Sequence, residues 1–300
     1  MSAPGDASAG DGAARAGLLA LIALYCAAPF LWLALAAFDP DARLFLQWPE
    51  TVSFSNFRRA FVEEDGLLWL LNSLVVCGLA TLLVAVLAGF GGYALSRTRA
   101  RWKRPFLYSI ILIRVIPPTA LIVPLYKVML TANLSVNAAV RAVLPSDWVR
   151  PAMRMVGFID GYLGLILLLA TLQLPLALWI MKTFFDAIPR EFEEAAIMDG
   201  AGFGKRLRRV LLPLAMPGLA ASGLFAFIAC WGDFLLPLTF ISSPELRMLP
   251  LGLYSAFMRS DQVDYGLLAA IAVVYTLPAI LAFALARRLL VQTFSGGLKG

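Results

Sequence analysis

The sequence predicts an all-α membrane protein with six transmembrane helices and a helical polar loop between the fourth and fifth. Three observations carry that expectation. Of the 300 residues, 61% are hydrophobic and 15% charged, whereas soluble domains are about one-quarter charged. Six stretches are apolar for 18 residues or more, long enough to cross a hydrocarbon core of about 30 Å. Lysine and arginine gather in alternate connecting segments, as the positive-inside pattern requires.

In chain order, residues 1–13 are rich in Gly, Ala, Ser and Asp and read as a disordered tail. Residues 14–290 form one membrane domain, and 291–300 a C-terminal tail. The spans are expected near 16–38, 67–96, 105–127, 157–181, 214–240 and 266–289. The first is too long for a signal peptide and lacks a small-residue cleavage site, so it is read as retained. Gly89, Gly91 and Gly92 in the second span fit close helix packing through the pairs Ala85/Gly89 and Ala88/Gly92. Residues 128–156 form an outside segment in which Val136, Ala139, Val140, Val143 and Leu144 trace an amphipathic helix, suited to the membrane surface or to an external protein. With both termini inside, fifteen basic residues fall on the inner side and eight on the outer. The polar loop between spans four and five is then cytoplasmic.

That loop is the most informative part of the chain. Glu191, Glu193 and Glu194 follow Pro189 and crowd a first helical turn, where acidic side chains suit the helix dipole. Ala195 and Ala196 keep the helix surface low, and Gly200 ends it. A second piece places Phe203, Leu207, Val210 and Leu211 on one side and Lys205, Arg206, Arg208 and Arg209 on the other. Two short helices joined at a glycine corner fit a docking site for another protein, or an amphipathic loop on lipid headgroups.

Glu194-Ala195-Ala196, three residues, Gly200, nine residues, then Val210-Leu211-Leu212-Pro213 resembles the EAA loop of membrane permeases of ATP-binding-cassette importers, with Val210 where the family has Ile. The resemblance implies a coupling helix that seats in an ATPase subunit and involves Glu193, Glu194, Ala195, Ala196, Asp199, Gly200, Gly202, Leu212 and Pro213. Ile159-Asp160-Gly161-Tyr162-Leu163-Gly164, Leu174-Pro175 and the run from Phe184 to Ala196 are similar to carbohydrate-uptake permeases of the maltose type, as are Phe54-Ser55-Asn56-Phe57 and Asn72-Ser73. The ending Ser295-Gly296-Gly297-Leu298-Lys299-Gly300 resembles that of the second permease of that type, and the resemblance implies that Gly296, Gly297, Lys299 and Gly300 reach the ATPase. One departure is Cys230-Trp231-Gly232-Asp233, where relatives carry Trp-Asn before an acidic residue. The resemblance implies a non-catalytic subunit in a bacterial inner membrane, with both termini cytoplasmic. Its partners would be a homologous permease, two copies of an ATPase that binds ATP and Mg, an external sugar-binding protein and membrane lipid. Polar and aromatic side chains of the fourth and fifth helices would meet the solute, which would be a sugar or else glycerol phosphate, a polyol or an amino acid.

Other chemistries fit poorly. The chain has no histidine, which excludes His-ligated metals and Ser-His or Cys-His pairs within it. Cys26, Cys77 and Cys230 each sit in an apolar run and imply no disulfide framework. The net charge of +6 follows the membrane pattern and does not point to nucleic acid. Gly200 to Lys205 fails as a phosphate-binding loop, because Asp199 and Arg206 stand where Gly and Ser or Thr are needed. Cofactors are therefore expected only on partner subunits. Asp160 and Asp233 lack the surroundings of an aspartyl intramembrane protease. A secondary transporter would need ionisable groups at mid-membrane; Arg114 and Asp233 qualify, but the polar loop would then be without a purpose. Arg114 costs at least about 2.5 kcal/mol near the bilayer centre, so it must pair with a carboxylate, snorkel to the boundary, or line the translocation path together with Asp233 and Trp231.

Overall fold

A computed structural model describes residues 7–258 and 263–296. Gly297, Lys299 and Gly300, expected to reach a partner, lie outside the described residues, and Gly296 is the last residue of the final helix. The helices are α1 (Ala7–Phe38), α2 (Ser55–Arg58, continued by a π turn), α3 (Gly66–Arg97), α4 (Lys103–Leu112), α5 (Pro118–Val143), α6 (Ser146–Val156), α7 (Tyr162–Ala187), α8 (Glu191–Met198), α9 (Phe203–Arg206), α10 (Leu212–Trp231), α11 (Leu235–Phe240), α12 (Leu249–Met258) and α13 (Tyr265–Gly296). Among the described residues, six helical stretches are long and apolar enough to cross a membrane. By packing, the chain forms two units, Met1–Leu67 with Leu253–Thr276 and Leu68–Gly252 with Leu277–Gly300.

In the first unit, the Phe54-Ser55-Asn56-Phe57 motif closes the end of α1. The buried Asn56 amide donates to the carbonyls of Ala37 (3.3 Å) and Asp39 (2.8 Å), which the helix end leaves unpaired. A Cβ at Gly266 would stand 2.5 Å from that amide nitrogen, so only glycine lets the start of α13 approach. Phe38, Phe54 and Phe57 cluster alongside, with ring centroids 5.0–6.1 Å apart. Arg59 pairs with Asp264 at 2.8 Å.

The second unit is built on α3, α7 and α10. Small residues bring these helices close: a Cβ at Gly92 would meet Met181 at 2.6 Å, and one at Gly218 would meet Phe184 at 2.6 Å. Ala88 is fully buried. The expected small-residue seam therefore holds at Ala88 and Gly92. At Gly89 the nearest neighbour, Leu219, is at an ordinary 3.7 Å, and the residue borders an apolar groove of about 250 Å³.

The third span differs from the expected 105–127. It is broken: α4 ends in a 3-10 turn, Ile113–Val115, and α5 restarts at Pro118. Pro117 and Pro118 lack N–H groups and force Ile116 and Pro117 into extended backbone, so one continuous helix cannot form. The outside segment 128–156 is helical almost throughout, as the end of α5 followed by α6. Val136, Ala139, Val140 and Val143 belong to the end of α5, and Leu144 is its C-cap before Pro145. Polar residues there do not break the helix, because the Thr131 and Ser135 hydroxyls donate to carbonyls four residues back. α6 then folds back, so that Asn133 accepts the Phe158 and Ile159 N–H groups. The fifth span also shifts from 214–240. Its helical run begins at Phe203 and stops at Trp231, where Gly232 caps α10 and Asp233 opens α11.

Candidate functional site

The polar loop forms as a helix, a glycine corner and a second helix that runs into the fifth span. α7 stops at Ala187 because Ile188 precedes Pro189 and is held extended. α8 follows with three glutamates in its first turn. It ends in a Schellman motif: the Gly200 N–H donates to Ile197 (2.9 Å) and the Ala201 N–H to Ala196 (2.9 Å). Gly200 carries φ +73°, a left-handed conformation that costs other residues about 1–2 kcal/mol. α9, the π turn Leu207–Leu211 and α10 follow without a break.

Glu193 anchors α8 to the rest of the unit. Its side chain is 12% exposed. It accepts from the Arg97 Nε and from the Tyr93 hydroxyl at 3.0 Å, and the Arg206 Nε lies 3.9 Å away. Arg97 also donates to the carbonyls of Phe185 (3.0 Å) and Ile188 (3.1 Å), closing the C-terminus of α7. Ser96 donates to Asp186 at 2.6 Å, Lys182 pairs with Asp186, and Lys103 donates to the Ser96 carbonyl at 3.2 Å. Tyr93 packs between Phe185 and Phe203, with centroids 5.6 and 5.9 Å away. One carboxylate thus joins the ends of α3 and α7 to α8.

The anchor separates the motif residues by face. Glu193 and Ala196, three apart, turn inward. Glu194, Ala195 and Met198 turn outward, and Met198 is 87% exposed. Asp199, Gly200 and Gly202 are exposed at the corner, Leu212 is half-buried, and Pro213 is exposed in the first turn of α10. The outward surface is a small acidic and apolar patch, edged by half-exposed Phe192, Ile197 and Phe203.

The candidate path residues Trp231, Asp233 and Arg114 have different surroundings. Trp231 is 3% exposed and stacks on Phe227 with centroids 5.6 Å apart. The Asp233 carboxylate accepts the Leu236 N–H at 2.9 Å and so caps α11. Arg114 is exposed and donates to the Gln173 amide oxygen at 3.3 Å. Among the described residues Arg114 forms no ion pair with Asp233 or with another carboxylate.

A second network ties two of the sequence motifs together at the opposite end of α7. Asp160, at φ +51°, accepts the N–H groups of Ser242 (2.9 Å) and Ser243 (2.8 Å) and the Ser243 hydroxyl. Burial pushes its carboxyl upward, but these bonds and nearby Arg154 outweigh that and hold it below the usual carboxylate range. Asn72 donates to the carbonyls of Glu245 and Arg247 at 2.9 Å and accepts the Tyr162 hydroxyl at 2.7 Å, while Ser73 accepts the Leu249 N–H at 2.8 Å. The Asn72-Ser73 and Asp160-Gly161-Tyr162 motifs therefore fix the segment joining α11 to α12.

The helical arrangement has a counterpart among solved structures. The crystal structure of a bacterial ABC transporter involved in the import of the acidic polysaccharide alginate includes a chain that matches 96% of this one, over 99% of its own length, with a TM-score of 0.75 and 20% identity. The fold is that of a multi-helix membrane protein. The chain belongs to the family of binding-protein-dependent transport system inner membrane components, whose family model matches residues 81–295. It is 32% identical over 289 residues to the trehalose transport system permease protein SugB of Mycobacterium tuberculosis, covering 93% of this chain and 95% of that one. It is 30% identical over 277 residues to the sulfoquinovosyl glycerol transport system permease protein SmoH of Agrobacterium fabrum, covering 91% and 88%.

Proposed function

We propose that this chain is one of two unlike permease subunits of a bacterial sugar importer, and that the outward face of α8 is where it meets an ATPase. The second permease, two ATPase copies and an external sugar-binding protein complete the assembly, with ATP and Mg held by the ATPases. Both termini and α8 lie in the cytoplasm. The observation that carries the reading is the Glu193–Arg97 anchor. A helix docked loosely to its own subunit could not transmit force, whereas α8 is tied to the ends of α3 and α7, the helices that must move. Closure of the ATPase dimer draws α8 inward, and the anchor passes that displacement to the spans. The path then opens outward to the sugar-loaded binding protein.

The solutes for which the two relatives are named, trehalose and sulfoquinovosyl glycerol, support a sugar as cargo. The test is solute-stimulated ATP hydrolysis by the full importer in proteoliposomes. Glu194→Lys reverses charge on the exposed patch, and Gly200→Val strains the corner by about 1–2 kcal/mol. Both are expected to abolish stimulation while insertion and yield are retained. Unchanged stimulation in both variants would remove the docking assignment.

A further inference from the structure

Among the described residues, Arg114 is a cation beside the span Tyr162–Ala187 for which the fold supplies no carboxylate partner. From Tyr162 to Gln173, inside the span Tyr162–Ala187, the helical rise is about 17 Å, and Arg114 reaches Gln173 from α4. Both side chains therefore sit near the middle of a hydrocarbon core about 30 Å thick. A cation at that depth cannot face lipid cheaply and marks a functional position by default. Its one hydrogen bond goes to a neutral amide, 3.3 Å away, so most of the five guanidinium donors stay open. None of the described carboxylates forms an ion pair with it.

The backbone around Arg114 also calls for a wet environment. Ile113 to Pro117 are non-α between α4 and α5, and irregular backbone at membrane depth is tolerated only inside protein or beside a water-filled cavity. Across from it, Pro175 inside α7 cannot donate to the Thr171 carbonyl. A hydroxyl-bearing solute could donate to that oxygen. Gln173, between these two positions, holds the guanidinium in place.

We infer that Arg114, positioned by Gln173 at the break between α4 and α5, is an anion-recognising site in the translocation path, and that the transported sugar carries a carboxylate or comparable anionic group. This rests on the permease reading above. A neutral solute would leave the cation unpaired during passage, whereas an acidic sugar neutralises it and can add a bidentate contact.

The test uses the complete importer in nanodiscs, in a Cys26→Ala background; Cys77 and Cys230 are buried. Val115, 74% exposed beside Arg114, and Gln173 are each replaced by cysteine. Anionic and cationic methanethiosulfonates of similar size probe them, with methyl β-D-glucuronide and methyl β-D-glucoside as competing ligands. The expected result is that the anionic reagent reacts about fivefold faster than the cationic one at Val115→Cys. Adding Arg114→Gln should erase that preference, and Arg114→Lys should keep it. The glucuronide should slow modification while the glucoside does not. No reaction at either cysteine in an importer that still hydrolyses ATP would mean that the partner permease covers the site, and would overturn the inference. Reaction without charge preference, or equal protection by both glycosides, would overturn the anionic class and leave the path itself standing. Failure of the permease reading is seen separately, as absence of ATPase in the purified assembly.

Discussion

Arg97→Ala is expected to release α8 from the body of the permease without preventing the chain from inserting. Arg97 and Glu193 are 16% and 12% exposed, intermediate between a surface pair worth under about 1 kcal/mol and a buried one whose breakage costs about 3–5 kcal/mol. The change also removes the donors to Phe185 and Ile188, but Tyr93 and Arg206 remain to share the Glu193 charge. A cost of about 3 kcal/mol is consistent with these limits, which corresponds to roughly a hundredfold rise in the open population of α8. Hydrogen exchange on the importer in nanodiscs reads that population directly, from the amides of residues 193–201. Protection there should fall by about two orders of magnitude, whereas the amides of α7 before its last turn should be unaffected. Glu193→Gln should have a smaller effect, because Arg97 keeps both carbonyl partners. Unchanged exchange in α8 on loss of Arg97 would refute the anchor, and with it the transmission argument.

Two further outcomes follow from the same geometry. The lowered Asp160 carboxyl contributes stability that is fully present above the unfolded value of about 3.9 and is lost as pH falls through the lower folded value. Thermal unfolding in detergent should therefore show Asp160→Asn less stable than the parent at pH 7, with the gap closing below about pH 4; a gap independent of pH would contradict this. For orientation, Ala201→Cys should react with a membrane-impermeant thiol reagent only in opened cells, and Ser146→Cys wherever the outer barrier alone is permeable. The reverse pattern would invert the topology.

The sequence made the helical class and the loop legible because both depend on local signals. Apolar length marks spans, and the three glutamates after Pro189 with Gly200 mark a short capped helix. The structure adds what distance along the chain conceals. Nothing local to Glu193 signals that its partners are Tyr93 and Arg97, about a hundred residues earlier, and Arg97 read only as one more inner-side cation. Proline decided the third span: hydropathy runs across Pro117-Pro118, but the backbone does not. Continuity decided the outside segment, where Asn, Thr, Ser and Arg lower the hydropathy of α5 without ending it. Residue type alone singles out Trp231 and Asp233, and it does not reveal that Trp231 is buried or that the Asp233 carboxylate caps α11. The family motifs Asn56, Asn72 and Asp160 carried no visible chemistry in the sequence, and in the fold each closes backbone groups that a turn or helix end leaves open.

The account stands most directly on whether α8 touches an ATPase. A photo-activatable residue at Met198, which is 87% exposed, would be irradiated in the assembled importer beside the same residue at Ala196, which faces inward. The account predicts an adduct between the Met198 position and the ATPase subunit, sensitive to nucleotide, and none with the ATPase from the Ala196 position. Adducts from Met198 to lipid alone, in an importer that still couples ATP hydrolysis to solute, would contradict it.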